Sequence, residues 1–345
     1  MGILIPRESK GYLLIHENFE RNVIMHLPKR VGTTFSQIQC GYLGLDPQET
    51  FNQLVAMGFK LIRLCSYWHE IQSVRQQFNF SILDWLINQA QRHGIEVVLT
   101  VGMKAPRWPE FHFPEWIKDQ HNTNRIDMPL DVDLALADLT LNFVKLIVER
   151  YRNVSNIRYW QVENEPLTRL QVGAGRYVSE EFIRREIQLV RDLIRPDQKI
   201  LLTNTVTLWP PLSQEDEQSF QASLALSDAV GVNVYTKVPR GPNSYIEPSP
   251  VYWRKLKRWE TRLQATRRES WVTESQAEPW EANKLVAVEK VNYPSSSPKA
   301  AIELFYRLAQ SGYDPILLWG CEYWYWQEKH GYTAWKDMVY KLLHY

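Results

Sequence analysis

Cysteine is scarce: the 345 residues hold only Cys40, Cys65 and Cys321. They are odd in number and widely spaced, and no CxxC pair occurs, so neither a disulfide framework nor a thiolate zinc site is expected. Charge of one sign is lacking as well. The 40 Lys and Arg against 39 Asp and Glu leave a net charge of +1 and a pI near 7.7, which gives no electrostatic reason to expect nucleic acid or an anionic membrane as partner. The short basic runs at 255–258 and 267–268 are expected on solvated helix faces. No apolar run approaches the length of a membrane span, and the opening MGILIPRESKGYLLIHENFERN lacks the features of a secretory signal. The chain as it stands is expected to be cytoplasmic, although a secreted one whose signal had been removed would read the same. The eight His residues form no HxH on the first strand and no HExxH, so no metal is expected. Neither GxGxxG nor GxxxxGK[ST] is present to cradle a nucleotide, and no cofactor is expected. Oligomeric state is unreadable.

What the chain has in quantity is aromatic residues, with 14 Trp and 17 Tyr. Aromatic faces stack on the C–H surfaces of sugars and other ligands, and Trp adds an N–H that reaches a hydroxyl. A large core explains many of them but explains the cluster WGCEYWYWQE at 319–328 poorly. Apolar runs read as strands at 31–38, 60–65, 95–102, 157–164, 199–204, 228–235, 270–275 and 315–321, alternating with helical patterns. DPQETFNQLVAMG opens on Asp46 as cap and stops at Gly58, FSILDWLINQAQRHG stops at Gly94, and PKAAIELFYRLAQSG stops at Gly312. LALADLTLNFVKLIVERY, EEFIRREIQLVRDLI and a final TAWKDMVYKLLH complete the set. Eight buried-looking strands, each followed by a helix, predict a single-domain (β/α)8 TIM barrel over 31–345, with an N-terminal extension, 1–30, packing on it.

A barrel of this kind carries its active site at the C-terminal ends of its strands. Those ends are Gln37, Arg63, 103–108 including Trp108, Asn164 with Glu165, Asn204, Tyr235, Glu274, and the group Trp319, Glu322 and Trp324. Glu165 and Glu274 would face each other across the mouth. WQVENEP at 160–166 places a second carboxylate, Glu163, two residues before Glu165, and strand periodicity would point both the same way while turning Asn164 opposite. A bulge or the end of the strand must break that alternation if Asn164 and Glu165 are both to reach a ligand.

Asn-Glu-Pro closing strand four, Thr-Glu closing strand seven, an Arg closing strand two and a Tyr closing strand six together resemble glycoside hydrolase clan A, the retaining barrel glycosidases. WQVENE and the segment 67–109 are similar to the family 42 β-galactosidases, whereas Pro166 is similar to the family 5 cellulase-like enzymes. The resemblance implies Glu165 as acid/base, Glu274 as nucleophile, and Asn164 as the contact to the sugar 2-hydroxyl. Tyr235 is then expected to hydrogen-bond Glu274. Arg63 is expected either as a substrate contact or as the ion-pair partner of a barrel carboxylate, and Glu163 as a support one layer deeper, held by Arg63 or by several donors. Trp319 is expected either as the aromatic floor of the sugar site or as a barrel-layer residue, the turn at Gly320 favouring the floor. Glu322, Trp324, Trp108, Trp209, Gln276, Glu278 and Trp280 are candidates for outer sugar contacts. The resulting expectation is a retaining β-glycoside hydrolase acting on a β-linked glycan. The alternatives are a transglycosylase, a non-catalytic glycan-binding barrel, and a Schiff-base lyase using Lys237.

Overall fold

The computed structural model describes residues 30–169, 173–208, 214–241, 244–281 and 295–344. The expected extension over 1–30, apart from Arg30, lies outside them, as does Trp209.

Eight parallel strands close into a barrel in the order β1-β10-β9-β6-β5-β4-β3-β2. They are β1 (Val31–Thr34), β2 (Leu61–Cys65), β3 (Glu96–Val101), β4 (Ile157–Val162), β5 (Lys199–Thr205), β6 (Ala229–Val234), β9 (Glu269–Gln276) and β10 (Ile316–Trp319). Each expected run overlaps one of them, with the ends displaced. An antiparallel hairpin of β7 (Val238–Gly241) and β8 (Ser244–Ile246) follows β6. It went unread because its two short strands carry no apolar alternation.

The helices begin and end where their termini can be satisfied. Asp46 accepts from the Glu49 N–H at 2.7 Å and Gly58 closes Pro47–Met57 at φ +94°, the left-handed value that costs glycine least. Asp133, Ser179 and Ser297 cap Leu134–Tyr151, Glu180–Leu193 and Pro298–Gln310 in the same manner. Two helices absent from the sequence expectation, Gln214–Leu226 and Pro250–Ala265, complete the ring after β5 and β8. The basic run at 255–258 lies on the second, yet Lys255 is buried there. Its ammonium sits 2.6 Å from Asp216 Oδ2, because a cation facing the neighbouring helix needs a counter-charge. Among the described residues no helix is long and apolar enough to cross a membrane.

The barrel interior is layered by strand periodicity. Leu61, Val98, Tyr159, Leu201, Ala229, Trp271 and Leu317 form an apolar floor. Arg30 lies over the Trp271 ring at 5.1 Å and binds Glu269 at 3.3 Å beneath it. Two residues further along the strands the layer turns polar: Arg63 donates to Thr34 Oγ1 at 2.8 Å and to Gln161 Oε1 at 3.0 Å. Gly231 is required at this level, since a Cβ there would stand 2.5 Å from the Thr273 side chain. The apolar floor supports a polar layer, and the polar layer supports the mouth.

Candidate active site

Both principal carboxylates stand where the backbone departs from regular strand. β4 ends at Val162, after which Glu163 and Glu165 adopt φ of +57° and +45°. Two left-handed residues flanking Asn164 abolish the strand alternation, so the three side chains part. Glu163 turns toward the end of β3, where its carboxylate accepts from the N–H groups of Met103 at 2.8 Å and Lys104 at 2.5 Å. Gly102 makes room for it: at φ +117° a Cβ would lie 2.2 Å from Glu163 Oε1. Backbone donors thus hold Glu163, while Arg63, the cation offered for it, is engaged elsewhere. Glu186, on Glu180–Leu193, is buried against Glu163, and among the described residues neither of its oxygens has a conventional hydrogen-bond donor. Burial and the charge of Glu163 push Glu186 well above the carboxylate range, and burial raises Glu163 to about 7.

On β9 the irregularity is a bulge. Val232 pairs with Val272 and Asn233 with Glu274, while on the other side Ile316 pairs with Val272 and Leu318 with Ser275. The extra residue bends the strand and re-aims the side chain that follows. Thr273 Oγ1 donates to Asn233 Oδ1 at 2.6 Å, and Glu274 still reaches the interior. There it accepts from Arg63 Nη2 at 2.7 Å and from the Tyr235 hydroxyl at 2.5 Å. Arg63, fully buried, therefore takes the ion-pair role, with Glu274 as its partner.

Among the described residues no cation pairs with the Glu165 carboxylate. Thr205 Oγ1 and, at 2.8 Å, Asn233 Nδ2 donate to its Oε1. Its N–H is tied to Thr203 Oγ1 at 2.9 Å and its carbonyl accepts from Lys104 Nζ at 2.9 Å. Burial, followed by the negative charge of Glu274, raises its pKa above the ordinary carboxylate value. A buried acid beside an ion-paired carboxylate is an arrangement suited to proton donation.

The remaining expected residues divide between mouth and core. Asn164 Oδ1 accepts from Gln161 Nε2 at 3.1 Å and Thr203 Oγ1 at 3.3 Å, which orients its amide. Trp319, 7% exposed, carries the Arg107 guanidinium 4.0 Å from its ring centroid. Trp108 is exposed on the loop after β3, and Trp280 meets the Tyr235 ring edge-on at 5.0 Å. Gln276 fastens the chain after β6, accepting from the Thr236 and Lys237 N–H groups at 2.8 and 3.0 Å.

Four expectations are corrected. β10 stops at Trp319, and past Gly320 the chain enters a helix, Cys321–Lys329, whose first turns bury Glu322 and Trp324 instead of presenting them on an open loop. Glu322 is fully buried and binds Arg107 at 2.6 Å and the Ser36 N–H at 2.5 Å. Trp324 is buried over Phe59 and donates to the Ala277 carbonyl at 2.7 Å. Asn204 alternates outward between Thr203 and Thr205, accepting from Ser219 and Ser223. Lys237 pairs with Glu247 at 3.3 Å with its side chain partly exposed, whereas imine chemistry calls for a lysine desolvated inside the site. Glu278 joins Glu322 on Arg107, so this triad couples the loop after β3 to the ends of β9 and β10.

A third carboxylate, absent from the sequence expectation, stands beside these groups. Glu110 lies on the loop after β3, with Oε2 3.4 Å from Asn164 Nδ2 and 3.8 Å from Lys104 Nζ. Three charged residues alternating with two prolines in KAPRWPE were the available signal.

Residues 46–184 match the family 42 glycoside hydrolase model, described as β-galactosidase. This segment includes Glu165 and ends before Glu274. No functionally curated protein matches the chain. Among solved structures, the β-galactosidase of the Antarctic haloarchaeon Halorubrum lacusprofundi aligns at 16% identity and a TM-score of 0.56, over 84% of this chain and 52% of its own. GH5_18 from Streptomyces cattleya, solved with GlcNAc, aligns at 14% and 0.59, over 86% and 71%. Xylanase 10B from Thermotoga petrophila, solved with xylobiose, aligns at 13% and 0.53, over 87% and 84%. The chain spans about half the length of the β-galactosidase it matches. The resemblance to the clan A barrel glycosidases is thus present both in the matched segment and in the fold.

Proposed function

We propose that the protein is a retaining β-glycoside hydrolase in which Glu274 is the nucleophile and Glu165 the acid/base. The contrast between the two carboxylates carries the proposal: Glu274 is aimed by Arg63 and Tyr235, while Glu165 is buried and shifted toward its protonated form. Glu165 gives its proton to the glycosidic oxygen as Glu274 attacks the anomeric carbon, and the C–O bond to the leaving group breaks with inversion. Glu165, now a carboxylate, takes a proton from water. That water attacks the same carbon and releases Glu274, so two inversions give net retention. Asn164 holds the sugar 2-hydroxyl in this reading, which its orientation by Gln161 and Thr203 supports. Trp319 and Trp108 supply aromatic surface for the ring and for outer units.

The substrate class is a β-linked carbohydrate. The matched family's description makes β-galactosides the first to test, ahead of glucosides, mannosides and xylosides. Hydrolysis of 4-nitrophenyl β-D-glycosides reads the activity directly. Glu274→Ala should abolish turnover, and added azide should restore it with an α-glycosyl azide as product. A variant that retains wild-type rates would remove Glu274 from the mechanism.

A further inference from the structure

Glu110 occupies the site at some cost. It has φ of +69°, close behind Arg107 at φ +87°, and non-glycine residues in that region are retained chiefly where the surroundings enforce them. The turn is closed by Glu110 N–H donating to Arg107 O at 2.8 Å and Ala105 N–H donating to Glu110 O at 2.9 Å. The residue is 8% exposed, comparable with 5% for both Glu165 and Glu274. Burial raises its pKa to about 8 against the opposing charge of Lys104, and the charges of Glu165 and Glu274 add to the rise. Neither step of the proposed mechanism uses it.

Its geometry toward Asn164 suggests a use. The Asn164 oxygen is occupied by Gln161 and Thr203, so the amide N–H2 is the group left to meet a ligand. Glu110 Oε2 stands 3.4 Å from that nitrogen, beyond the roughly 2.7–3.2 Å of a well-formed N–H···O bond. A hydroxyl oxygen about 2.9 Å from the nitrogen and about 2.7 Å from the carboxyl oxygen would bridge the two atoms with better-formed bonds than they make with each other. A hydroxyl both accepts and donates, so it satisfies the two groups at once. A 2-deoxy sugar leaves the two groups only their long contact with each other and, for Glu110, the 3.8 Å pairing with Lys104, and the N–H of a 2-acetamido group cannot accept from Asn164.

We infer that Glu110 is a specificity-determining residue that, with Asn164, selects glycosides bearing a free hydroxyl beside the anomeric carbon. The inference rests on the glycosidase reading above. The test compares kcat/KM for a 4-nitrophenyl β-D-glycoside with that for its 2-deoxy analogue, in the wild type, Glu110→Ala and Glu110→Gln. The parent sugar is whichever of the galactoside, glucoside, mannoside and xyloside the wild type cleaves fastest. A site that hydrogen-bonds a substrate hydroxyl rejects the analogue lacking it. The hydroxy-to-deoxy ratio should therefore fall about tenfold or more in Glu110→Ala, through loss on the parent substrate. Glu110→Gln keeps a carbonyl acceptor and should hold most of the ratio. If Glu110→Ala does not fold, Glu110→Asp, which shortens the reach by one methylene, should lower the ratio instead. Equal losses on both substrates, or no loss on either, would overturn the inference, because a residue that only shapes the loop cannot distinguish them. Failure of the wild type to cleave any of the four glycosides contradicts the glycosidase reading and withdraws this inference with it.

Discussion

Division of labour between two similar side chains begins with what each one touches. Glu274 meets a guanidinium and a phenol, whereas Glu165 meets a threonine hydroxyl and an asparagine amide. Because the charge of Glu274 raises the pKa of Glu165, neutralising that charge in Glu274→Gln should let Glu165 titrate at lower pH than in the wild type. Carbon-13 NMR of labelled glutamate would follow it, and an unchanged titration would mean that the two carboxylates do not sense each other. Tyr235→Phe removes one of the two groups aiming Glu274. A hydrogen bond to a charged group contributes about 1.5–3 kcal/mol, so kcat should fall about 10–100-fold. Glu165, Glu274, Arg63 and Tyr235 were legible as candidates because each lies in the C-terminal half of an apolar run or just past its end. Glu110 was not, because strand ends do not reveal which residue of a tight turn folds back over the mouth. Glu322 and Trp324 misled for the converse reason: the run 315–321 continues past the point where Gly320 turns the backbone into a helix.

At the scale of the element, irregularity is what aims the site. Two left-handed residues after β4 and a bulge in β9 bring the carboxylates inward, and neither feature has a hydrophobic signature, so periodicity could show only that some break was needed. The seat of Glu163 above Gly102 is the first of these devices to test. Gly102→Ala drives a methyl into the Glu163 carboxylate at a φ that L side chains rarely adopt. It should cost about 2 kcal/mol or more in stability and reduce activity together with it, as read by chemical denaturation and kcat/KM. The pair of Glu163 and Glu186 adds a pH dependence. Both carboxyls are raised in the fold, so the folded chain binds more protons than the unfolded one above the ordinary glutamate value of 4.5. Their stabilising contribution is present in full below that pH and is lost as pH rises toward and past about 7. Melting temperatures should fall over this interval, and Glu186→Gln should flatten the decline. An equally steep decline in the variant would show that the pair does not titrate in the fold.

For the molecule as a whole, the barrel was legible because its strands are continuous apolar runs separated by capped helices, and the closed eight-stranded sheet follows from burying both faces of such strands. The hairpin of β7 and β8 was not, because short polar strands carry no such signal. The layered interior connects fold to chemistry. An apolar floor of seven side chains closes the lower barrel, a polar layer centred on Arg63 fixes Glu274 from beneath, and the Arg107 triad ties three strand ends together around Trp319. In the proposed function the carboxylates at this mouth act by double displacement. Proton NMR of the sugar released in the first minutes of hydrolysis, before mutarotation, tests that claim most directly. The account predicts the β-anomer as first product from a β-glycoside, and the α-anomer appearing first would contradict it.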